Sequence, residues 1–127
     1  MNALSLSSSL SQRLATFVAE TPADSLPAPV AHKAKRHILD TLGASLGGAT
    51  AVEARSARAV MGMGGSGEVI AWGTSQGFNA RDAAFVNGVA AHALELDDAG
   101  GCDHSGAVVL PAAFAALACT QDRKSVV

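Results

Sequence analysis

The chain has 127 residues, of which 49% are hydrophobic and 16% are charged, and its formal net charge is −2. This length is typical of one domain, and the apolar content is sufficient for a buried core. The slightly negative charge argues against a nucleic-acid partner, because nucleic-acid-binding proteins present a basic face. Few aromatic residues and many alanines favour packed helices over a sheet.

The sequence also restricts the cellular compartment. No segment reaches the roughly 20 apolar residues that cross a bilayer, so no membrane partner is predicted. The N-terminus lacks the basic region and the long apolar core of a secretory signal. The two cysteines, Cys102 and Cys119, are too few for a disulfide framework and are compatible with a reducing compartment. We therefore expect a cytoplasmic protein.

Three amphipathic helices are predicted in the N-terminal half of the chain. The first covers about residues 10–20, and helical spacing gives it one apolar stripe. That stripe consists of Leu10, Leu14, Phe17 and Val18. The second helix covers about residues 29–46 and is expected to stop at Gly47 and Gly48, because glycine commonly follows a helix. The third, about 51–61, is weaker.

A glycine-rich segment over residues 62–67 follows the third helix and precedes a strand-like run over residues 68–72. The segment matches the pattern G-x-G-x-x-G. A dinucleotide-binding loop of this pattern follows a strand and precedes a helix, which is the opposite order, so this context argues against a nucleotide cofactor. We predict an all-α fold with at most one short strand or hairpin near residues 68–72.

Two further helices complete the predicted fold. The fourth covers about residues 80–96 and follows Asn79, a favoured N-cap residue. It is apolar or small nearly all round, which is typical of a buried helix. Gly100 and Gly101 then interrupt the chain. Pro111 is expected near the start of the fifth helix, where a proline is tolerated.

The segment that joins the fourth and fifth helices carries the candidate chemistry. Three carboxylates, Glu95, Asp97 and Asp98, lie at the predicted end of the fourth helix, and His104 follows the glycine pair. Helical spacing places Glu95 and Asp98 on one face together with Asn87, and Asp97 on another. Acids this close repel, which raises the pKa of a partly buried member. Such a carboxyl group and an imidazole together favour proton-transfer chemistry.

Two alternatives stay open from the residues alone. In the first, Asp97 and Asp98 only cap backbone N–H groups, and His104 is an exposed loop histidine. In the second, Asp97, Asp98, Cys102 and His104 bind a metal ion, since together they offer oxygen, sulfur and nitrogen ligands. Their spacing matches no established zinc pattern, so no metal site is predicted.

Three runs of residues together resemble the MmgE/PrpD family. The runs are AKRHILDTLG at 34–43, AAFVNGVAAH at 83–92 with ELDD at 95–98, and HSGAVVLPAA at 104–113. The resemblance covers nearly everything from residue 14 to residue 118. It implies the helical N-terminal part of a large domain that is normally joined to a smaller α+β lid. It also implies a homodimer when the protein is full length.

The resemblance further implies a lyase or isomerase that acts on small di- or tricarboxylates without a cofactor or metal. Family members include 2-methylcitrate dehydratase, cis-aconitate decarboxylase and iminodisuccinate epimerase, which share proton transfer next to a carboxylate. We expect catalytic roles for His104, Glu95 and Asp98, and substrate-binding roles for Asp97 and Ser105.

Two positions depart from the best-known branches of the family. Glu95 stands where the dehydratases and decarboxylases carry aspartate, and Ala99 stands where they often carry threonine. Glutamate reaches about one methylene further than aspartate, and alanine removes a hydroxyl that hydrogen-bonds substrate. These departures suggest a branch other than the best-known dehydratases.

The expected domain organisation is a truncated helical domain over residues 1–121. Residues 122–127 break the apolar pattern abruptly and are predicted to be a non-native tail. Because family enzymes are longer, a fragment of this size is expected to be inactive. The competing hypothesis is a non-catalytic helical packing or assembly module, in which the small residues around Gly88 serve only packing.

Overall fold

The computed structural model of the protein describes residues 9–98 and 104–122. The elements in chain order are α1 (Leu10–Glu20), a 3-10 turn (Ala23–Ser25), α2 (Ala28–Gly48), α3 (Val52–Gly62), β1 (Val69–Ile70), β2 (Gly77–Phe78), α4 (Ala80–His92) and α5 (Ser105–Asp122). The predicted all-α fold with one short hairpin near residues 68–72 is confirmed. None of the helices described is long and apolar enough to span a membrane.

The chain divides into two compact units between residues 33 and 34. In the first unit, α1 begins with a capping box. The Ser9 hydroxyl accepts from the Gln12 backbone N–H at 3.2 Å, and the Gln12 side chain accepts from the Ser9 N–H at 2.8 Å. The apolar stripe predicted for this helix is exposed, and α1 contributes no buried residue.

In the second unit, α4 packs against α3, α5 and the hairpin. A buried cluster between α4 and the hairpin consists of Ala71, Phe78, Ala83 and Val86, and Ala57 and Met61 of α3 pack against it. The hairpin pairs Val69 with Phe78 and Ile70 with Gly77 in antiparallel register. Because Phe78 is fully buried, the hairpin is part of the core of this unit.

Small residues allow the neighbouring helices to approach α4 closely. A Cβ atom on Gly48 would overlap the carbonyl group of Ala90, and one on Gly88 would lie 2.8 Å from the Ala107 carbonyl oxygen. Pro111 lies inside α5 and has no N–H to donate to the carbonyl of Ala107, four residues earlier. The Ala107 carbonyl oxygen, which lacks this intrahelical bond, is the atom that faces Gly88.

Two of the predicted helix boundaries are wrong. Helix α4 ends at His92 instead of continuing to residue 96, since Glu95 has a left-handed φ of 52° that no right-handed helix accommodates. Helix α5 begins at Ser105, so Pro111 lies in its interior and not near its start. The end of α4 at His92 determines which of the acidic side chains that follow it lie close together.

Several predictions fall outside the described residues. They concern the departure at Ala99, the break at Gly100 and Gly101, and Cys102 of the metal alternative. The same holds for most of the predicted tail, residues 123–127.

Candidate functional site

The candidate site is formed by residues at the C-terminal end of α4 and directly before the N-terminus of α5. His92 is the last residue of α4, and His104 directly precedes α5. Glu95 and His104 both have a positive φ, of 52° and 44°. A left-handed conformation costs a non-glycine residue roughly 1–2 kcal/mol. Surrounding contacts must therefore hold both residues in place, a situation that is common at functional sites.

The carboxylate of Asp97 is the buried centre of this site. Its side chain is 0% exposed. Its Oδ1 atom lies 3.1 Å from Nδ1 of His92, and its Oδ2 atom lies 3.2 Å from Nδ1 of His104. An ionised carboxylate only accepts hydrogen bonds, so Asp97 favours a proton on the Nδ1 atoms beside it, most directly on that of His92, where the contact has hydrogen-bond geometry. The Nε2 atom of each imidazole is then the basic one.

Glu95 faces the opposite edge of both rings. Its Oε1 atom lies 3.1 Å from Nε2 of His92, and its Oε2 atom lies 3.7 Å from Nε2 of His104. The two rings contact each other edge to face, with centroids 4.4 Å apart. The Glu95 side chain is 69% exposed, so it can move without disturbing the core. We call His92, Glu95, Asp97 and His104 the histidine–acid cluster.

The two histidines are held to different degrees. Nδ1 of His92 contacts both oxygens of Asp97, at 3.1 and 3.4 Å, with hydrogen-bond geometry. Nδ1 of His104 is close to the same carboxylate but not aligned for a hydrogen bond, and it makes none with the described residues. Of the two contacts with Asp97, only that of His92 is therefore a hydrogen bond.

The histidine–acid cluster opens onto a groove between α4 and α5. The groove has a volume of about 520 Å³, and both histidines line it. Its remaining walls are apolar and consist of Ala84, Phe85, Gly88, Val89, Ala107 and Val108. This volume lies within the usual range for small-molecule sites, which combine apolar walls with a few polar groups.

Asp98 and Ser105 lie at the N-terminus of α5. The Asp98 carboxylate accepts from the Ser105 hydroxyl and from the Gly106 N–H, both at 2.8 Å. These hydrogen bonds lower the pKa of Asp98, and the nearby His37 lowers it further. Asp98 therefore caps the helix, where a negative charge is favoured. The capping alternative raised by the sequence describes Asp98 correctly.

The predicted grouping of the acids is wrong. Helical spacing placed Glu95 with Asp98 and separated Asp97 from both. Because α4 ends at His92, Glu95 and Asp97 instead share the two imidazoles, while both oxygens of Asp98 are bonded to the start of α5. The predicted proximity of His104 to the acids agrees with its contacts to Glu95 and Asp97.

Asn87, which the sequence placed on the same face as Glu95, fixes the hairpin. Its side-chain oxygen accepts from the Trp72 N–H at 2.8 Å, and its amide donates to the Ile70 carbonyl at 3.4 Å. The buried amide thus satisfies backbone groups of the hairpin, which is a structural role.

His92 was not among the predicted site residues, yet it contacts both Glu95 and Asp97. The available signal was the three-residue spacing from His92 to Glu95, which places two side chains on adjacent positions at a helix end. The contact with Asp97 had no such signal, because it depends on the turn after the helix.

Comparison with known proteins identifies the family. The model of the MmgE/PrpD N-terminal domain matches residues 12–125, a range that includes the whole histidine–acid cluster and runs into the predicted tail. No curated protein and no solved structure matches the chain. Because the family match covers most of the sequence, the chain belongs to the MmgE/PrpD family and carries its N-terminal domain.

Proposed function

We propose that this domain is part of a lyase or isomerase that acts on small di- or tricarboxylates, as 2-methylcitrate dehydratase does. The reaction class is proton transfer at a carbon next to a carboxylate. The observation that carries the proposal is a pair of imidazoles on one buried carboxylate, at the end of an apolar groove. Family membership supports the same class of chemistry.

His104 is the proposed proton-transfer residue. Its Nε2 atom is 3.7 Å from Glu95, beyond hydrogen-bond distance, and its side chain is 33% exposed. Nε2 is therefore available to take a proton from a carbon of the substrate. The electron pair of the broken C–H bond stays on that carbon, next to the carboxylate. Asp97 stabilises the imidazolium that forms, since its oxygen lies beside the opposite ring nitrogen.

The other residues have supporting roles in this proposal. Glu95 stabilises a proton once an Nε2 atom has accepted it, because its carboxylate lies beside both Nε2 atoms. The full burial of Asp97 favours an orienting role over the substrate contact that the sequence predicted. Asp98 and Ser105 act by fixing the start of α5, and hence the position of His104.

The proposal is tested on the full-length natural protein that carries this domain. Turnover is measured on 2-methylcitrate and on related di- and tricarboxylates, with loss of the substrate C–H proton to D2O as a second readout. His104→Gln is expected to reduce both by about 10²–10⁴-fold, the usual contribution of general acid–base catalysis. His32→Gln changes an exposed histidine outside the cluster and should have no effect.

Undiminished proton exchange in the His104→Gln variant would remove His104 from the mechanism. If a folded wild-type protein neither turns over nor exchanges any of these acids, the competing hypothesis of a helical packing module is favoured.

A further inference from the structure

Three side chains of the histidine–acid cluster also bring possible metal-ligand atoms together, which proton transfer alone does not require. One ligand atom from each of His92, Glu95 and His104 lies within 4.8 Å of the others. The contacts with Glu95 identify the nitrogens as the two Nε2 atoms. Two imidazole nitrogens and a carboxylate oxygen thus lie close enough together to share one ion.

We propose that His92, Glu95 and His104 bind a divalent transition-metal ion of the zinc class. Two histidines and one glutamate form a known ligand set of zinc sites that keep an open fourth position. Tetrahedral ligands at about 2.1 Å from zinc are about 3.4 Å from one another. The distances from the two Nε2 atoms to the Glu95 carboxylate lie on either side of that value, at 3.1 Å from His92 to Oε1 and 3.7 Å from His104 to Oε2.

Asp97 supplies the outer contacts that such a site needs. Histidine ligands usually donate their second ring N–H to a carboxylate, which fixes the tautomer and makes the ligand more basic. Here the fully buried Asp97 carboxylate makes that hydrogen bond with Nδ1 of His92 and lies 3.2 Å from Nδ1 of His104. With neutral imidazoles, the charges of Glu95 and Asp97 balance those of a divalent cation.

The donor atoms also determine which cations bind. Imidazole nitrogen suits zinc, cobalt and nickel, whereas magnesium and calcium prefer oxygen ligands. The exposed Glu95 carboxylate can adjust to complete the site, and both histidine ligands line the groove. Of the four residues in the metal alternative that the sequence suggested, this site contains only His104.

Metal binding would also affect the proposed reaction. This effect rests on the proposed function, whereas the metal site itself does not. The Nε2 lone pair of His104 cannot bind a metal ion and accept a proton at the same time. Zinc is therefore an inhibitor of the proposed proton transfer, with an inhibition constant equal to its dissociation constant for the cluster.

The binding experiment uses the 127-residue chain without a polyhistidine tag, after removal of metals with EDTA and dialysis. Zn²⁺ is titrated by calorimetry, and Co²⁺ by its visible absorption. We expect saturable binding of one ion per folded chain and no binding of Mg²⁺. His92→Gln and Glu95→Gln should each weaken Zn²⁺ binding at least about tenfold, and Asp97→Asn about 10–100-fold. The matched control His32→Gln should leave the affinity unchanged.

Circular dichroism establishes which variants are folded, and Glu95→Gln preserves the test if a histidine variant unfolds, because Glu95 is exposed. A folded wild-type chain that shows no saturable Zn²⁺ binding would overturn the proposal. Binding that survives both Glu95→Gln and His92→Gln would overturn it too, because the ion would then lie elsewhere, for example at Cys119.

The two proposals can fail separately. Zinc binding by the cluster together with no turnover of any carboxylate supports the metal site and rejects the proposed function. Turnover that depends on His104, in a protein that does not bind zinc, supports the proposed function and rejects the metal site.

Discussion

The two ends of helix α4 each hold a buried carboxylate, but they pair it with different kinds of partner. At the N-terminal end, Asp82 accepts from the Asn79 amide at 2.6 Å and from Arg81 Nε at 2.9 Å. At the C-terminal end, Asp97 faces the imidazoles of His92 and His104. Both side chains are shielded from water, so burial alone does not distinguish them.

The difference lies in what the partners can do with a proton. An amide and a guanidinium donate hydrogen bonds and keep their protons at any ordinary pH, and the pKa of Asp82 is lowered mainly by Arg81 and then by Asn79. An imidazole gains and loses a proton near neutrality. Asp82 therefore stabilises the start of a helix, whereas Asp97 influences proton transfer in the function that we propose.

The largest expected effect is at the C-terminal end. Asp97→Asn keeps the shape of the side chain but replaces one acceptor oxygen by an N–H donor, which cannot accept from Nδ1. We expect proton exchange and turnover by the full-length protein to fall about 100-fold, with most of the loss in kcat. A loss confined to KM would contradict an orienting role for Asp97.

A smaller effect is expected at the N-terminal end. Asn79 caps α4, since its side-chain oxygen accepts from the Asp82 N–H at 3.0 Å. Asn79→Ala should lower the free energy of unfolding by about 1 kcal/mol, the usual contribution of an N-cap. Urea denaturation of the chain measures this change. Turnover of Asn79→Ala at a temperature where the variant is folded should match that of wild type. A loss of activity in the folded variant would contradict a purely structural role for the N-terminal end of α4.

The smallest effect concerns Asp98, which resembles Asp82 and not its neighbour Asp97. Hydrogen bonds from Ser105 and Gly106 lower its pKa from the ordinary 3.8, so its ionised form stabilises the folded chain. That stabilisation is fully present above the ordinary pKa and is lost as pH falls through the lower pKa of the folded state. The Tm difference between wild type and Asp98→Asn should therefore shrink at strongly acidic pH. A difference independent of pH would show that charge is not responsible.

The sequence predicted the features that depend on local patterns. Asn79 was identified as an N-cap from its residue type and from the buried helix that follows it, and the structure confirms both. The order of the helices and the position of the hairpin could also be predicted from the sequence, because hydrophobic spacing and glycine-rich turns indicate them.

The grouping of the acidic side chains could not be predicted from local sequence patterns. It depends on a left-handed Glu95, which ends the helical spacing on which the prediction was based. It depends also on hydrogen bonds to Asp98 from Ser105 and Gly106, which lie seven and eight residues further along the chain. Sequence patterns near residue 95 contain neither feature, so the neighbours of each carboxylate could be assigned only from the structure.

The tautomers of the cluster histidines test the central claim most directly. Long-range ¹⁵N–¹H correlation spectra, recorded on the metal-free chain at a pH where its histidines are neutral, report which ring nitrogen carries the proton. We expect Nδ1–H in both His92 and His104, and a loss of that preference in Asp97→Asn, with His32 unchanged. Nε2–H in both cluster histidines of the folded wild-type chain would contradict the claim that Asp97 leaves Nε2 as the basic nitrogen.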